Sequence, residues 1–456
     1  MRSVFEIIGP IMVGPSSSHT AGMARIGAEA FRRLPAGEKE IHLTFSKKME
    51  KTYGGHRSDS AALGGALGLT PDSPKLRAAY DLAAEQGISV RIDFFEESAV
   101  PENTLRVTFL YENGKHRSLT ASSVGGGSIE ILALDDKPVR LLPYCDFGET
   151  LPDANPLLPL PELLRIAREE QIPLWEQALR YEIQRSGNPR ESIRARMESH
   201  WQAMKESVIR GQGQNAMLYG LTPGDDGKRL LAFAKEGKSV SGGLLPIATG
   251  YALGVLEQNA SMGRVVAAPT AGSAGILPGI LLAAGEQHPV PEEKQIRSLF
   301  TAALFGICMD EKGISFSGSV GGCQGEIGVS SALAAAALAS LFTDDGDVIA
   351  HAMALSLKNL LGLVCDPIAG PIEVPCIKRN AVGVANACIA CDMALSGIRS
   401  FIPPEEVMDA LLDVEKRMPT ELRCAAIGGL ACSKTACEYR KRGQCGNEKA
   451  EPINEI

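Results

Sequence analysis

Three cysteines of this chain stand in sequence contexts typical of loops that turn around a bulky group. Cys323 follows two glycines, and Cys365 and Cys376 enclose a segment with three prolines. Glycine lets the backbone pass close to a bulky object, and proline cannot continue a helix. Three soft thiolates suit an iron–sulfur cluster, zinc or copper(I). Spacing alone also allows buried structural cysteines, since free cysteine often behaves as a small hydrophobe.

An iron–sulfur cluster held by only three cysteines would have one iron without a cysteine ligand. A four-iron cluster normally takes four thiolates, one for each iron. With three thiolates, one iron keeps an open position that can bind and polarise a substrate oxygen as a Lewis acid.

Two histidines occur in short polar loops that precede predicted helices. His19 follows three serines, Ser16, Ser17 and Ser18, and precedes Thr20. His56 follows two glycines. Hydroxyl groups and free backbone N–H groups at a helix start favour an anion such as a carboxylate. Each histidine could move a proton near neutral pH. From the residues around His19 alone, helix capping with no chemistry is the favoured interpretation, and the same interpretation is open for His56.

A third loop of small residues precedes another predicted helix. It contains Thr270, Gly272 and Ser273, and it could bind a carboxylate through free N–H groups. Close helix packing through glycine and alanine would produce the same pattern.

The pattern of apolar residues divides the chain into four parts. Strand-like and helical segments alternate in residues 1–148, which predicts an α+β domain, and four prolines in residues 149–161 predict a linker. A period of 3.6 residues predicts an all-α domain over residues 162–437, and residues 438–456 form a charged tail.

Composition limits the partners and the compartment. The net charge of −8 over 456 residues argues against nucleic acid or an anionic membrane as the main partner. We find neither a signal-peptide pattern nor an apolar window of about 18 residues. Eleven cysteines without a secretion signal indicate a reducing compartment, so we expect a cytoplasmic protein.

Several long motifs resemble the iron–sulfur-dependent L-serine dehydratases, the L-serine ammonia-lyases, in a single-chain form. They are Gly-Cys-Gln-Gly-Glu-Ile-Gly at 322–328, Cys-Asp-Pro-Ile-Ala-Gly at 365–370, Ile-Glu-Val-Pro-Cys-Ile-Lys-Arg-Asn-Ala at 372–381, Pro-Ser-Ser-Ser-His-Thr at 15–20, a Gly-His pair at 55–56 and Gly-Gly-Leu-Ala at 428–431. The loop around Thr270 is also similar, but Ala271 stands where relatives often have asparagine.

The resemblance implies a function and roles for the residues named above. Cys323, Cys365 and Cys376 would hold a [4Fe-4S] cluster that dehydrates L-serine to aminoacrylate, released as pyruvate and ammonia. His19 and His56 would transfer protons. The substrate-binding residues would be Ser16, Ser17, Ser18, Thr20, Thr270, Gly272 and Ser273. Cys437 is a candidate cap for the open iron, and a homodimer is expected.

Alternative functions use the same residues differently. An iron–sulfur redox or oxygen sensor with a ligand-binding N-terminal domain needs the cysteines but not the paired histidines. A cysteine desulfidase-like lyase would act on L-cysteine at a related site. A pyridoxal phosphate enzyme is disfavoured, because no lysine occurs in a Ser-x-Lys-x-x-Gly context.

Overall fold

The computed structural model describes residues 1–50, 53–95, 100–141, 150–368, 372–424 and 427–442. The strands are β1 (Ile11–Val13), β2 (Glu38–Phe45), β3 (Ser89–Phe94), β4 (Thr104–Tyr111), β5 (His116–Gly125), β6 (Ser128–Leu134), β7 (Lys137–Leu141) and β8 (Arg264–Val266). The helices are α1 (Val4–Ile7), α2 (Gly22–Arg33), α3 (Ser58–Ala66), α4 (Ala79–Glu85), α5 (Leu160–Glu169), α6 (Leu174–Ser186), α7 (Arg190–Gly211), α8 (Asp226–Lys235), α9 (Leu244–Ala260), α10 (Ile276–Gln287), α11 (Glu292–Glu311), α12 (Gly318–Gly321), α13 (Val329–Ser340), α14 (Gly346–Asn359), α15 (Cys376–Leu395), α16 (Pro404–Arg417) and α17 (Lys434–Lys441).

A six-stranded sheet forms the N-terminal part of the protein. Its strand order is β3-β2-β4-β5-β6-β7, in which only the β2–β3 pair is parallel. Alternate residues of β2, namely Ile41, Leu43 and Phe45, are buried on one face, as a half-buried strand requires. Helices α2 and α3 cover that face. The predicted α+β class of this part is confirmed.

Two strands of the sheet were not predicted from the sequence. β5 carries serines and threonine along with its apolar residues, and β7 is short, so neither has a clear alternating pattern. The glycine run at 125–127 is the turn between β5 and β6, and all three glycines have positive φ. Only glycine adopts such a run of conformations without strain.

Helices α2 and α3 approach each other through glycine. A Cβ atom on Gly27 would lie 2.2 Å from the carbonyl O of Ala62, and one on Gly65 would lie 2.0 Å from that of Ala24. The two helix backbones are therefore in direct contact. This matters for the site, because each helix begins just after one of the predicted histidine loops.

The second part of the chain is helical, as predicted, and is organised around α13. Every residue of that helix from Val329 to Ala339 is buried. A helix that is apolar on all faces belongs at the centre of a large core. Helices α11, α14 and α15 pack around it.

The first residues of the chain belong to the helical core and not to the core of the sheet. Phe5, Ile8 and Met12 pack within the helical cluster, whereas Val13 packs with the sheet. β1 pairs antiparallel with β8, the one strand described within the helical part. The carboxylate of Glu182 on α6 also accepts hydrogen bonds from Ser3 Oγ and Val4 N, both at 2.9 Å.

The predicted boundary at residue 148 lies outside the described residues. Residues 150–159 contain no helix or strand, and α5 begins at Leu160. α17 extends from Lys434 to Lys441, across the predicted start of the tail. No helix in the described ranges is long and apolar enough to cross a membrane.

We expect Gly65→Ala to destabilise the protein although alanine favours helices. The added methyl group must displace the Ala24 carbonyl, and such overpacking typically lowers the free energy of unfolding by about 1–3 kcal/mol. Urea denaturation measures the change. Gly213→Ala is the matched control, since its new Cβ would meet only Arg210 O at 3.4 Å. An unchanged unfolding free energy for Gly65→Ala would contradict the close helix contact.

Candidate functional site

One cavity collects residues from both parts of the chain. Of the residues predicted from sequence, it is lined by Ser16, Ser17, Ser18, His19, His56, Thr270, Gly272, Cys323, Cys365 and Cys376. It is also lined by Gly126, Phe316, Ser317, Gly318, Ser319, Glu326, Ile327, Pro367, Ile372 and Cys424. The structure thus brings together the three cysteines, both histidines and two of the predicted anion-binding loops.

The cysteines come from three separate segments. Cys323 directly precedes a π-helical turn, Gln324–Gly328, and Cys365 follows α14. Cys376 is the first residue of α15. Ligand atoms of Cys323, Cys365 and Glu326 lie within 4.8 Å of one another. Cys376 lines the same cavity, so three segments each bring one cysteine to it.

A fourth cysteine, Cys424, lines the same cavity. Its thiol contributes to the raised pKa of the Cys365 thiol. The backbones are also paired, because Cys424 N donates to Cys365 O at 2.7 Å and Cys365 N donates to Leu422 O at 2.8 Å. The sequence pattern did not single out Cys424, because it lacks the glycine and proline context of the other three.

Arg379 on α15 connects the cysteines to the surrounding backbone. Its Nη1 atom lies 3.4 Å from Cys323 Sγ and donates to Val364 O at 2.7 Å. Its Nη2 atom donates to the buried Asp366 at 2.6 Å. Arg379 therefore links Cys323 to the two residues that flank Cys365 in the chain.

The electrostatics of the cysteines fit a metal cluster. Hydrogen bonds to Cys323 and Cys424, together with burial, raise the pKa of the Cys365 thiol well above its usual range. Burial, followed by its neighbours Cys323 and Cys424, does the same to the pKa of Cys376. Such thiols ionise together only when a cation compensates their charge, and coordinating thiols are deprotonated by the metal itself.

The two histidines stack against each other in the wall of the cavity. Their rings are stacked, with centroids 4.5 Å apart and planes inclined by 24°. His56 is buried, and burial lowers the pKa of His19 to about 4. His19 is therefore neutral at physiological pH and able to accept a proton.

Thr20 connects the two histidine loops. Its Oγ1 donates to the carbonyl O of His56 at 2.7 Å and accepts from Ser16 N at 3.1 Å. Ser16 Oγ in turn accepts from His19 N at 3.2 Å and lies 3.4 Å from His19 Nδ1. Thr20 thus holds the loops together and does not line the cavity.

The loop around Thr270 carries a similar division of roles. Thr270 lines the cavity, its hydroxyl lies 3.1 Å from Ser273 Oγ, and its side chain helps to lower the pKa of Glu326. Ser273 is fully buried, and its Oγ donates to the carbonyl groups of Ala268 and Thr270, both at 3.3 Å. Ser273 therefore shapes the loop, whereas Thr270 and Gly272 face the cavity.

Glu326 is a site residue that sequence reasoning missed. Burial raises its pKa to about 7, and the hydrogen bond from Thr270 and the charge of Arg379 partly oppose that rise. The glutamate follows Cys323 by three residues, a spacing that would have placed it on the same turn. The paired hydroxyls of Ser317 and Ser319, 2.8 Å apart, were also missed.

A buried glutamate connects the cysteine segment to the second histidine loop. Glu373 accepts from the backbone N–H groups of Tyr219 at 2.9 Å and Leu221 at 2.8 Å. The hydroxyl of Tyr219 then donates to Gly54 O at 2.9 Å, two residues before His56. The position of His56 thus depends on the segment that carries Cys365 and Cys376.

Cys437 is not among the residues that line the cavity. It lies on α17, with its Sγ 3.8 Å from Cys432 O and 3.4 Å from Arg440 Nη2. Cys445, in the charged tail predicted from the sequence, falls outside the described residues.

Two family models match this chain in separate regions. A model described as the serine dehydratase alpha chain matches residues 169–431. A model described as the serine dehydratase beta chain matches residues 3–132. The first region contains all the cysteines of the cavity, and the second contains both histidines.

Individual relatives agree with the two models. The Escherichia coli (strain K12) protein named L-serine dehydratase TdcG is 30% identical over 473 residues, which cover 96% of this chain and 100% of that protein. The Streptomyces coelicolor L-serine dehydratase is 30% identical, covering 95% and 99%. The probable L-serine dehydratase alpha chain of Bacillus subtilis is 43% identical and covers 64% of this chain and 98% of that protein.

The neutral state of His19 predicts a pH dependence. The folded protein binds a proton at His19 only near pH 4, whereas the unfolded chain binds it near pH 6.5. His19 therefore makes the folded state less stable as the pH falls from 6.5 towards 4.

Carbon-13 NMR of labelled histidine measures this titration directly, and the chain has only seven histidines. The resonance that disappears in His19→Asn should titrate near pH 4. A midpoint near 6.5 for that resonance would show that His19 is solvated and charged in weak acid.

Proposed function

This chain belongs to the serine dehydratase family, and from that premise we propose that it is an L-serine ammonia-lyase. The reaction removes the α-proton and the β-hydroxyl group of L-serine as water. The resulting aminoacrylate rearranges to an imine, and hydrolysis of the imine gives pyruvate and ammonia. The reaction is balanced, because one water molecule is released when aminoacrylate forms and one is consumed when the imine is hydrolysed.

The main support is the composition of one cavity. Metal-binding thiols, two stacked histidines and hydroxyl-rich loops line it together, although they come from distant parts of the chain. L-Serine has an unactivated Cα–H group and a poor leaving group, and a histidine base beside a bound cluster in this cavity would assist the loss of both.

We assign Cys323, Cys365 and Cys376 as ligands of a [4Fe-4S] cluster. The soft donor set fits iron–sulfur chemistry, and the raised pKa values of Cys365 and Cys376 fit thiols that ionise on metal binding. When bound, the cluster would supply a Lewis acid that stabilises negative charge on the departing hydroxyl group.

The histidines are the proposed proton-transfer residues. His19 is neutral at physiological pH, so its ring can accept the α-proton of the substrate. Ser16 Oγ, 3.4 Å from Nδ1, orients that ring. His56 stacks on His19 and can share the proton before it leaves the site.

Hydroxyl groups on two sides of the cavity would hold the substrate carboxylate. Ser17 and Ser18 begin the turn that leads into α2, and Thr270 and Gly272 face them from the helical part. In this proposal Thr20 and Ser273 do not bind the carboxylate themselves. Their hydrogen bonds fix the shape of the loops that do.

The remaining proposals concern organisation. We place a beta-type domain in residues 1–148 and a cluster-binding, alpha-type domain in residues 162–437, joined by the linker at 149–161. We further propose a homodimer that acts in the cytoplasm on free L-serine, without nucleic acid or membrane as a partner.

One anaerobic experiment tests the function. The protein is purified without oxygen, and visible and EPR spectra and pyruvate release are recorded when L-serine is added. We expect a brown protein that releases pyruvate and loses this activity on exposure to air, because an exposed iron is readily oxidised and lost. A brown protein inert to L-serine but responsive to oxygen would indicate a sensor. Turnover of L-cysteine alone would indicate a desulfidase-like lyase.

Substitution of the histidines separates catalysis from cluster binding. His19→Asn and His56→Asn should each lower kcat roughly 100- to 10,000-fold, the usual range for general acid–base groups. Iron content should stay at the parental value, because neither histidine is a proposed ligand. His116→Asn, at an exposed position on β5, is the matched control. If both site variants keep the kcat of the parent protein, the histidines do not transfer protons in the reaction.

A further inference from the structure

We infer that Asn380 is a positioning residue that fixes the substrate loop around Gly272 against the segment of Cys376. The inference rests on the proposed function, because it presupposes that this loop holds the carboxylate of L-serine. Asn380 is not among the residues that line the cavity. It acts through the separation that it sets between the loop and the first turn of α15.

The first observation is a hydrogen-bonded bridge between two distant segments. Asn380 is fully buried on α15. Its Nδ2 atom donates to Gly272 O at 2.9 Å and to Cys376 O at 3.1 Å, and both of these residues line the cavity. One amide group therefore connects a proposed carboxylate-binding loop to a proposed cluster ligand, although Gly272 and Asn380 are 108 residues apart in the sequence.

The second observation is how the rest of the loop is held. Ser330 Oγ on α13 lies 2.7 Å from Ala268 O and 3.3 Å from Ser273 O. These contacts fix the loop before and after the residues that face the cavity. The hydrogen bond from Asn380 lies between them, at the carbonyl group of Gly272 itself. The part of the loop nearest to the substrate therefore depends on Asn380.

The third observation is the chemistry of the amide. Both partners of Asn380 are carbonyl oxygens, which can only accept, so Nδ2 must face them and Oδ1 must point away. Within the described residues, Oδ1 is buried and has no hydrogen-bond partner. A buried acceptor without a partner destabilises the fold, and an aliphatic side chain of similar size would avoid that penalty. What the two donors hold explains an asparagine here, whereas packing does not.

The fourth observation is the stiffness of the helix that carries the amide. Asn380 follows Cys376 by four residues, about one turn of α15. One turn further on, a Cβ atom on Gly383 would lie 2.4 Å from Ile276 Cδ1, and Gly383 O accepts from Ser331 Oγ at 2.8 Å. The helix is thus fixed against its neighbours, and Asn380 has a fixed position from which to hold the loop.

The test compares two asparagines of α15 in anaerobically prepared protein. Asn380→Asp keeps the shape of the side chain and removes both donors. Asn380→Ser keeps a single donor, which a helical serine gives to the carbonyl group four residues earlier, here Cys376 O. The matched control is Asn386→Asp, because Asn386 Nδ2 also donates to buried partners, Ser331 Oγ at 3.0 Å and Ser356 O at 2.9 Å, and none of these residues lines the cavity.

We expect the KM for L-serine to rise roughly 10- to 100-fold in both Asn380 variants, because a hydrogen bond to the charged carboxylate is lost. The kcat should change less than KM, since a misplaced loop weakens binding of the substrate and of the transition state alike. Iron per chain should stay at the parental value. Asn386→Asp should lower the midpoint of thermal unfolding and keep the parental KM.

The outcomes separate this inference from the function on which it rests. A parental KM in an Asn380 variant that folds and binds iron would overturn the inference. An equal rise of KM in Asn386→Asp would also overturn it, because any loosening of α15 would then have the same effect. Loss of iron from both Asn380 variants would show that the amide holds the cysteine segment and not the loop. A parent protein that binds no iron or does not turn over L-serine would instead refute the proposed function.

Discussion

A three-residue antiparallel ladder between β1 and β8 holds the two parts of the site in register. β1 leads directly into the loop of Ser16 and His19, and β8 leads into the loop of Thr270. Backbone hydrogen bonds continue past the ladder, from Gly9 N to Ala267 O at 2.8 Å and from Ala267 N to Pro10 O at 3.1 Å. Because these bonds are buried, separating the halves would leave backbone groups unsatisfied. The cavity therefore depends on a contact that neither part makes alone.

The pairing of the histidines depends on a second close contact. α2 and α3 begin after the two histidine loops, and Gly27 and Gly65 let their backbones touch. Thr20 then ties the loops together through the carbonyl O of His56. Two contacts thus hold the stacked imidazoles in place: the packing of α2 against α3, and the hydrogen bond from the Thr20 hydroxyl to the His56 carbonyl group. Two loops that are distant in the sequence, each with a histidine before a helix, thus form one pair of stacked rings.

Local patterns predicted much of this architecture, while contacts between distant residues could not be predicted. The strand-like segments behind the predicted α+β domain include residues 41–45 and 104–111, which lie in β2 and β4, and the predicted helical periodicity of the second domain is realised in α6 and α7. β8 is only three residues long and forms because β1 lies beside it, so it has no signal of its own. Cys365 and Cys376 were recognisable from their prolines. Cys424 gains its place only from the tertiary fold, and a single sequence does not show that it meets Cys365.

The pairing of Cys365 with residues 422–424 has a consequence for how the protein is made. Synthesis proceeds from the N-terminus. Residues 422–424, which pair with Cys365, therefore leave the ribosome after Cys323, Cys365 and Cys376. The backbone N–H of Cys365 finds its partner, Leu422 O, only when that last segment has emerged. The site proposed for the cluster is therefore complete only after residues 422–424 have been synthesised, and a chain that stopped before them would lack the backbone partner of Cys365.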